Sequence, residues 1–538
     1  MKKLLVLSAL ISIINLSKAQ SLKEAQKLND NEQYDAANAM YKQLVMKEPN
    51  NGTVWFYYGE NMLDADNQDS ALMMFNKGLQ VDPTNPLNNI GLGEIKLSQN
   101  NLAEAKPLVD KALAAGANKN VAVLMEAADA YTHFKAKDLM TAQTLLGTAI
   151  KLEPKNADLY VLNGDVYSEL NNGTEAANNY NQALALDKTQ VKAVLHKGQL
   201  YKRSTNYDGA AEEFKKAISV DQNFAPAYRE LAEVNYLQHK IEDAKANYKK
   251  YLELSKNNVS ARLRYTSFLY YSKSFPEALA EFNQITKIDS SNTGFLRLGT
   301  YVNFESSEAM KDSTLIAKAK LFSDRLFNTL DSTKFNSRDI EYYGKILAKS
   351  GMDSIGAGYI RKAYEMEPSR NDLLNDLYTV YQKSKKYDSS AAVLQEKIAT
   401  GKNITSNDYL NLGKAYYSLH QPEKADSAFA RYADIQPKWA PIYAWRGRSN
   451  AMIDSTGKQG LAKQFYEKYI EVANQDSANI SKYKKDLMEA NQYLAFYYFV
   501  QKDCQQSIAY WKKVLEFDPE NKQAKDSIKQ ISADKACK

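Results

Sequence analysis

An all-α solenoid of stacked helical hairpins is the fold class the sequence predicts, and three observations predict it. A helix-turn-helix pattern fills the stretch from Ala157 to Gln190. The same pattern recurs along most of the chain at a nearly constant step. At 538 residues the chain exceeds one ordinary globular core, a limit that a stack of units packed only on their neighbours escapes.

Within Ala157–Gln190 the first helix carries Tyr160, Gly164 and Tyr167, spaced four and three apart and so on one face. Asn171, Asn172 and Gly173 break the pattern and supply a turn. The second helix repeats the spacing with Ala176, Tyr180 and Ala183. Gly164 and Ala176 are small where two helices must approach, and the tyrosines fill the space around them. A lone hairpin cannot cover such faces, so it needs copies on both sides.

The copies are in register. The small residue of the second helix returns as Ala37, Ala71, Ala105, Ala142, Ala176, Ala210, Ala244 and Ala278, with steps of 34 residues and one of 37. Four residues after each stands a large apolar one: Tyr41, Phe75, Val109, Leu146, Tyr180, Phe214, Tyr248 and Phe282. Proline closes units at Pro49, Pro83, Pro154, Pro368, Pro437 and Pro519, where it cannot continue a helix. Leucine-glycine steps stand at Leu92-Gly93, Leu298-Gly299 and Leu412-Gly413, and first-helix aromatics at Trp55, Tyr160, Tyr228, Tyr409 and Tyr443. At these residues the chain resembles the tetratricopeptide repeat (TPR) family. The resemblance implies a right-handed α-solenoid of about fourteen repeats whose first helices line a concave, partner-binding surface.

In chain order, Met1–Ala19 reads as a signal peptide. Lys2 and Lys3 precede an apolar stretch from Leu4 to Leu16, and Ser17-Lys18-Ala19 offers a cut ahead of Gln20. The stretch is too short for a stable membrane anchor, and no later segment reaches transmembrane length. The protein is therefore expected to be exported, and the style of the leader resembles that of a Gram-negative bacterium, which places it in the periplasm or outside the cell. An N-terminal array is expected over 20–304 and an irregular repeat or insertion over 305–336. A C-terminal array is expected over 337–519 and a capping helix over 520–538, with Ala524, Ile528 and Ile531 as its narrow apolar stripe.

Cys504 falls at the turn of the last repeat and Cys537 ends the cap. A cap stacked where the next first helix would lie brings its far end beside that turn, so a disulfide is geometrically allowed. It would close a loop of about thirty residues, worth about 3 kcal/mol by loop entropy.

The formal charge is +6, and the leader's Lys2, Lys3 and Lys18 account for half of it. The remainder is close to neutral and gives no footprint for nucleic acid. His133, His196, His239 and His420 have no metal-ligand spacing, and HExxH, GxSxG and Walker-type motifs are absent from the sequence. No catalysis, metal or cofactor is expected. The 37 tyrosines read as packing groups.

Residues flanking the packing stripe of the first helices are the candidate partner-binding set. Early ones are acidic: Glu60, Asp64, Glu94, Asp129, Asp158, Asp165 and Glu169. The middle set is Leu195, Arg229, Tyr236, Leu263, Tyr270, Tyr271 and Phe304, and the late set is mostly basic, with Arg338, Lys345, Lys349, Lys383, Lys414, Tyr417 and Arg448. The expected function is a non-catalytic scaffold of the envelope, in an assembly or secretion system, holding a protein or peptide in its concave groove. The alternative is an accessory protein for envelope polysaccharide, with Tyr236, Tyr270 and Tyr271 stacking on sugar rings.

Overall fold

The computed structural model describes residues 21–116, 119–256, 258–285, 292–476 and 478–534. Every regular element among them is helical, and the chain divides into unit 1, Met1–Asp289, and unit 2, Ser290–Lys538. The expected leader, the cut before Gln20 and Cys537 lie outside the described residues.

Unit 1 is eight consecutive hairpins: α1 (21–30) with α2 (Tyr34–Lys47), α3 (Gly52–Asp64) with α4 (Gln68–Val81), α5 (Leu87–Ser98) with α6 (Leu102–Ala115), α7 (Val121–His133) with α8 (Leu139–Leu152), α9 (Ala157–Glu169) with α10 (Gly173–Leu186), α11 (Val191–Arg203) with α12 (Tyr207–Val220), α13 (Ala225–Leu237) with α14 (Ile241–Leu254), and α15 (Val259–Tyr271) with α16 (Phe275–Ile285). Unit 2 is six: α17 (Thr293–Met310) with α18 (Thr314–Thr329), α19 (Ser337–Lys349) with α20 (Asp353–Met366), α21 (Asp372–Lys383) with α22 (Tyr387–Ala399), α23 (Ser406–Ser418) with α24 (Pro422–Ile435), α25 (Pro441–Ile453) with α26 (Lys463–Gln475), and α27 (Lys484–Val500) with α28 (Cys504–Phe517). The single helix α29 (Lys522–Ala533) then packs on α28, burying Ala524 and Ile531 as a cap requires.

The hairpin is held by the contact between small and large residues. All eight recurring alanines of the second helices, Ala37 to Ala278, are fully buried. In four of these hairpins the large residue four positions on lies against a glycine of the preceding helix, as Phe75, Val109, Tyr180 and Phe214 do against Gly59, Gly93, Gly164 and Gly198. A Cβ built on Gly164 would come within 2.4 Å of the Tyr180 ring, and one on Gly59 within 2.3 Å of Phe75. Gly198 with Phe214 and Gly413 with Phe429 repeat the arrangement at 2.4 Å. Each such ring, hidden from water, contributes about 1.5–3 kcal/mol.

The turns inside the hairpins follow one recipe. Asn171 takes the left-handed conformation (φ 59°), and the Asn172 side chain then accepts the Glu175 N–H at 3.2 Å to cap α10. Asp66, Asn100, Thr205, His239, Lys273 and His420 occupy the same left-handed position in their own turns. His239 and His420 are thus turn residues. Gly173, in the first turn of α10, has an ordinary helical backbone; asparagine, the non-glycine residue that best tolerates this region, turns the chain.

One boundary differs from the sequence pattern. The first helix after residue 292 is expected to stop at Phe304, before a polar inserted turn. Instead α17 continues to Met310, ends at the left-handed Lys311, and the Asp312 side chain starts α18 by accepting the Thr314 N–H at 2.9 Å. The polar run stays helical because Ser306 and Ser307 are buried within it, and Thr300 and Asn303 return hydrogen bonds to their own helix's carbonyls. The extra residues therefore lengthen a helix, and the division between the units falls at 289/290.

Candidate partner-binding face

The side chains that define the face occupy one position of the repeat. Glu60, Glu94, Asp129 and Asp165 each directly follow the small residue of a first helix: Gly59, Gly93, Ala128 and Gly164. Successive first helices are neighbours in the stack, so these acids form one row on α3, α5, α7 and α9.

Glu60 and Glu94 meet. Glu94 is fully buried, and no donor of the chain reaches either of its carboxyl oxygens or Oε1 of Glu60. Burial first, and then the like charge, pushes the Glu60 carboxyl well up; burial lifts Glu94 to about 8. A proton held between the two relieves that contact. Glu126, two positions before Ala128, accepts a 2.8 Å hydrogen bond from the Tyr57 hydroxyl, yet burial and Asp129 raise it to about 7. Asp64 accepts from the Asn29 amide at 2.6 Å. Its side chain keeps contact with water, but it sits deep enough among neighbouring groups that desolvation lifts it to about 6.

Asp165 behaves oppositely. It stands 2.6 Å from His196 Nδ1 and 3.6 Å from His133 Nε2, and accepts the Tyr180 hydroxyl at 2.8 Å. Burial works to raise its carboxyl, but the two imidazoles outweigh it and hold it low. His133, also 2.9 Å from Asp129, is raised against its own burial by the two carboxylates. Asp165 is thus a buried hub. Glu169 is paired with Lys137 and with Arg203 at 3.0 Å, and Asp158 accepts the Gln190 amide at 2.6 Å.

Unit 1 also closes on itself. Asp30 pairs with Lys192 at 2.7 Å, Lys27 with Asp221 at 2.9 Å, and Glu32 with Arg229 at 2.8 Å, while the Tyr251 hydroxyl donates to Glu32. The tip of the first hairpin therefore lies against α11, α13 and α14, and Arg229 is occupied by the chain's own carboxylates, Glu32 and Glu230. Of the three middle tyrosines, Tyr270 is buried. Tyr271 is 57% exposed, and Tyr236 beside it is half-buried against Phe268.

The basic residues of unit 2 are mostly neutralised from within. Lys345 bonds Glu341 at 2.7 Å and Asp376 at 2.8 Å, Lys349 bonds Glu308 at 3.0 Å, and Lys383 bonds Asp353 at 3.1 Å. Arg448 bonds Asp486 and Glu489, both at 2.6 Å. Lys414 differs: it has no ion pair among the described residues, lies 5.6 Å over the Trp445 ring, and is lowered by desolvation. Tyr417 packs edge-on against the same tryptophan at 5.4 Å.

A family model of the tetratricopeptide repeat matches residues 161–227, the span of α9 to α13 around Asp165 and His196. The crystal structure of the C-terminal part of a TPR repeat-containing protein from Cytophaga hutchinsonii is 32% identical. The match covers 49% of this chain and 99% of that one, with a TM-score of 0.42. The chain is a tetratricopeptide repeat protein. PilF of Pseudomonas aeruginosa is 21% identical over 36% of this chain and 86% of its own, with a TM-score of 0.30. A MamA crystal structure is 21% identical over 33% of this chain and 96% of its own, with a TM-score of 0.24. No curated protein matches.

As a tetratricopeptide repeat protein the chain is a protein–protein interaction scaffold, of a family that is generally non-catalytic. Among the described residues, no three acid, histidine or cysteine side chains are grouped to hold a metal ion, and no helix is long and apolar enough to cross a membrane. The sequence pattern passes over Tyr57, Glu126, Lys192 and Trp445. Glu126 and Trp445 each stand two positions before the small residue of their helix, Ala128 and Gly447, so the repeat register does mark them. Nothing in the sequence marks the Glu32–Arg229 closure, because 197 residues separate the partners and only the winding of unit 1 brings them together.

Proposed function

We propose that this TPR protein is an exported scaffold of the periplasm or cell envelope that holds a segment of a partner protein on its first-helix faces. The observation that carries the reading is the row Glu60, Glu94, Asp129 and Asp165. Within that row Glu60 and Glu94 are raised by burial, which costs stability that ordinary surface charge does not, and such frustration collects at functional sites. The leader-like start supports export, and an envelope assembly or secretion system is the setting we favour. Fusion of the first forty residues to alkaline phosphatase tests the location: activity in the periplasm supports export, and activity confined to unexported material sinks it.

A second reading draws on Tyr271, whose exposed ring beside Tyr236 offers a stacking surface for a sugar. Binding of purified envelope polysaccharide that is lost in Tyr271→Ala supports it. Unchanged binding in that variant, or none by the unaltered chain, removes it.

A further inference from the structure

The acids of unit 1 are more numerous than structure requires. On α3, α5 and α7, Glu60, Asp64, Glu94, Glu126 and Asp129 lie close enough to feel one another's charge, and no lysine or arginine among the described residues forms an ion pair with any of them. The nearest cation from the packed neighbours is Lys192 on α11, bonded to Asp30 of α1 and felt by Asp129 and Asp158. His196 serves Asp165, and His133 is shared between Asp129 at 2.9 Å and Asp165 at 3.6 Å. Fully buried Glu94, with neither oxygen meeting a donor of the chain, points into this group. A buried carboxyl left without a donor costs about 1–3 kcal/mol or more, and repetition of the acid directly after the small residue of successive first helices places it by register rather than accident.

We propose that unit 1 binds a partner segment rich in arginine or lysine, laid along this acidic wall. The proposal rests on the scaffold reading above and adds the chemistry of the partner. Lys192 already displays that chemistry from inside, since against its own burial its ammonium is raised by Asp30, Asp129 and Asp158 together. Guanidinium or ammonium groups reaching Asp64, Glu126 and Asp129 add positive charge beside Glu60 and Glu94 and offset the mutual repulsion of the group. The carboxyls also hold protons in the free protein, with Glu94 lifted to about 8, Glu126 to about 7 and Asp64 to about 6. A cation favours their ionised form, so binding releases protons and tightens as pH rises from 6 to 8.

The test uses the full chain with labelled nona-arginine and nona-glutamate as probes, followed by titration calorimetry in two buffers of different ionisation heat. Nona-arginine is expected to bind with release of roughly one proton at pH 7 and with affinity that falls with salt. Glu126→Gln with Asp129→Asn is expected to weaken it by about tenfold. Asp110→Asn with Glu212→Gln, which removes exposed acids from the second helices α6 and α12, is expected to change it less than about twofold. Both double variants keep side-chain size, and the first removes repulsion, so folding is not at risk. Equal losses in the two variants, no loss in the first, or preference for nona-glutamate overturns the proposal. A natural partner cross-linked at Asp129 through a segment without cations also overturns it while leaving the scaffold reading intact. Absence of any partner at the first-helix faces removes both.

Discussion

Glu94 follows Gly93 as Glu60 follows Gly59, and the two carboxyls meet on adjacent first helices, with no donor among the described residues at either oxygen of Glu94 or at Oε1 of Glu60. Each is held protonated above the ordinary carboxylate range by burial and, for Glu60, by the other's charge. The sign of the pH effect follows. A carboxyl raised in the folded state binds more protons folded than unfolded between its ordinary value of 4.5 and about 8, so stability falls as pH rises through that window. Glu94→Gln is expected to stabilise unit 1 at pH 8 by on the order of 2 kcal/mol and to have little effect at pH 4. Amide exchange across α3–α6 at the two pH values measures it.

The glycine–ring contact sets the second prediction. Gly164→Ala drives a methyl into the Tyr180 ring, which Ala176 and the neighbouring helices hold in place, and is expected to cost about 2–3 kcal/mol. Gly147→Ala and Gly358→Ala lie on second helices with nothing within 4 Å of the new carbon, and are expected to stabilise by about 0.5–1 kcal/mol. Thermal or denaturant unfolding of the three variants separates the cases.

The closure of unit 1 sets the third. Arg229→Met leaves Glu32 held by Tyr251 alone and is expected to cost on the order of 2 kcal/mol locally. In a stack whose units depend on nearest neighbours, the loss falls on the first hairpin, so amide exchange in 21–47 is expected to speed up while that of α5–α10 stays as it was.

The cap supplies the fourth. With Cys504 at the start of α28 and α29 stacked on that helix, the chain without reductant is expected to be lighter by the hydrogens of two thiols, and reduction to loosen α29 before α28. Intact-mass measurement before and after reduction, with amide exchange, reads both effects.

The hairpins were legible because their contacts are local. Ala176, Tyr180 and Gly164 lie within seventeen residues of one another, and the period carries the buried alanine and the large residue after it to the other hairpins of unit 1. The extent of α17 was hidden, since Glu305 to Met310 is polar in composition and helical only because Ser306 and Ser307 find burial in the folded unit. For the face, sequence spacing places Glu60, Lys345 and Lys414 alike beside the packing stripe of their first helices. It does not say that Lys345 finds Glu341 and Asp376 while Lys414 finds only an aromatic ring. That difference depends on which side chains neighbouring first helices bring together.

Site-specific photo-cross-linking in living cells tests the central claim, that the first-helix faces are the working surface. A photoreactive residue is placed at Asp129, Tyr271 or Lys414 on the first helices, and at Met73 or Met140, which are exposed on second helices. The account predicts that one identified envelope protein is captured from first-helix positions and not from Met73 or Met140. Capture only from the second-helix positions would contradict it.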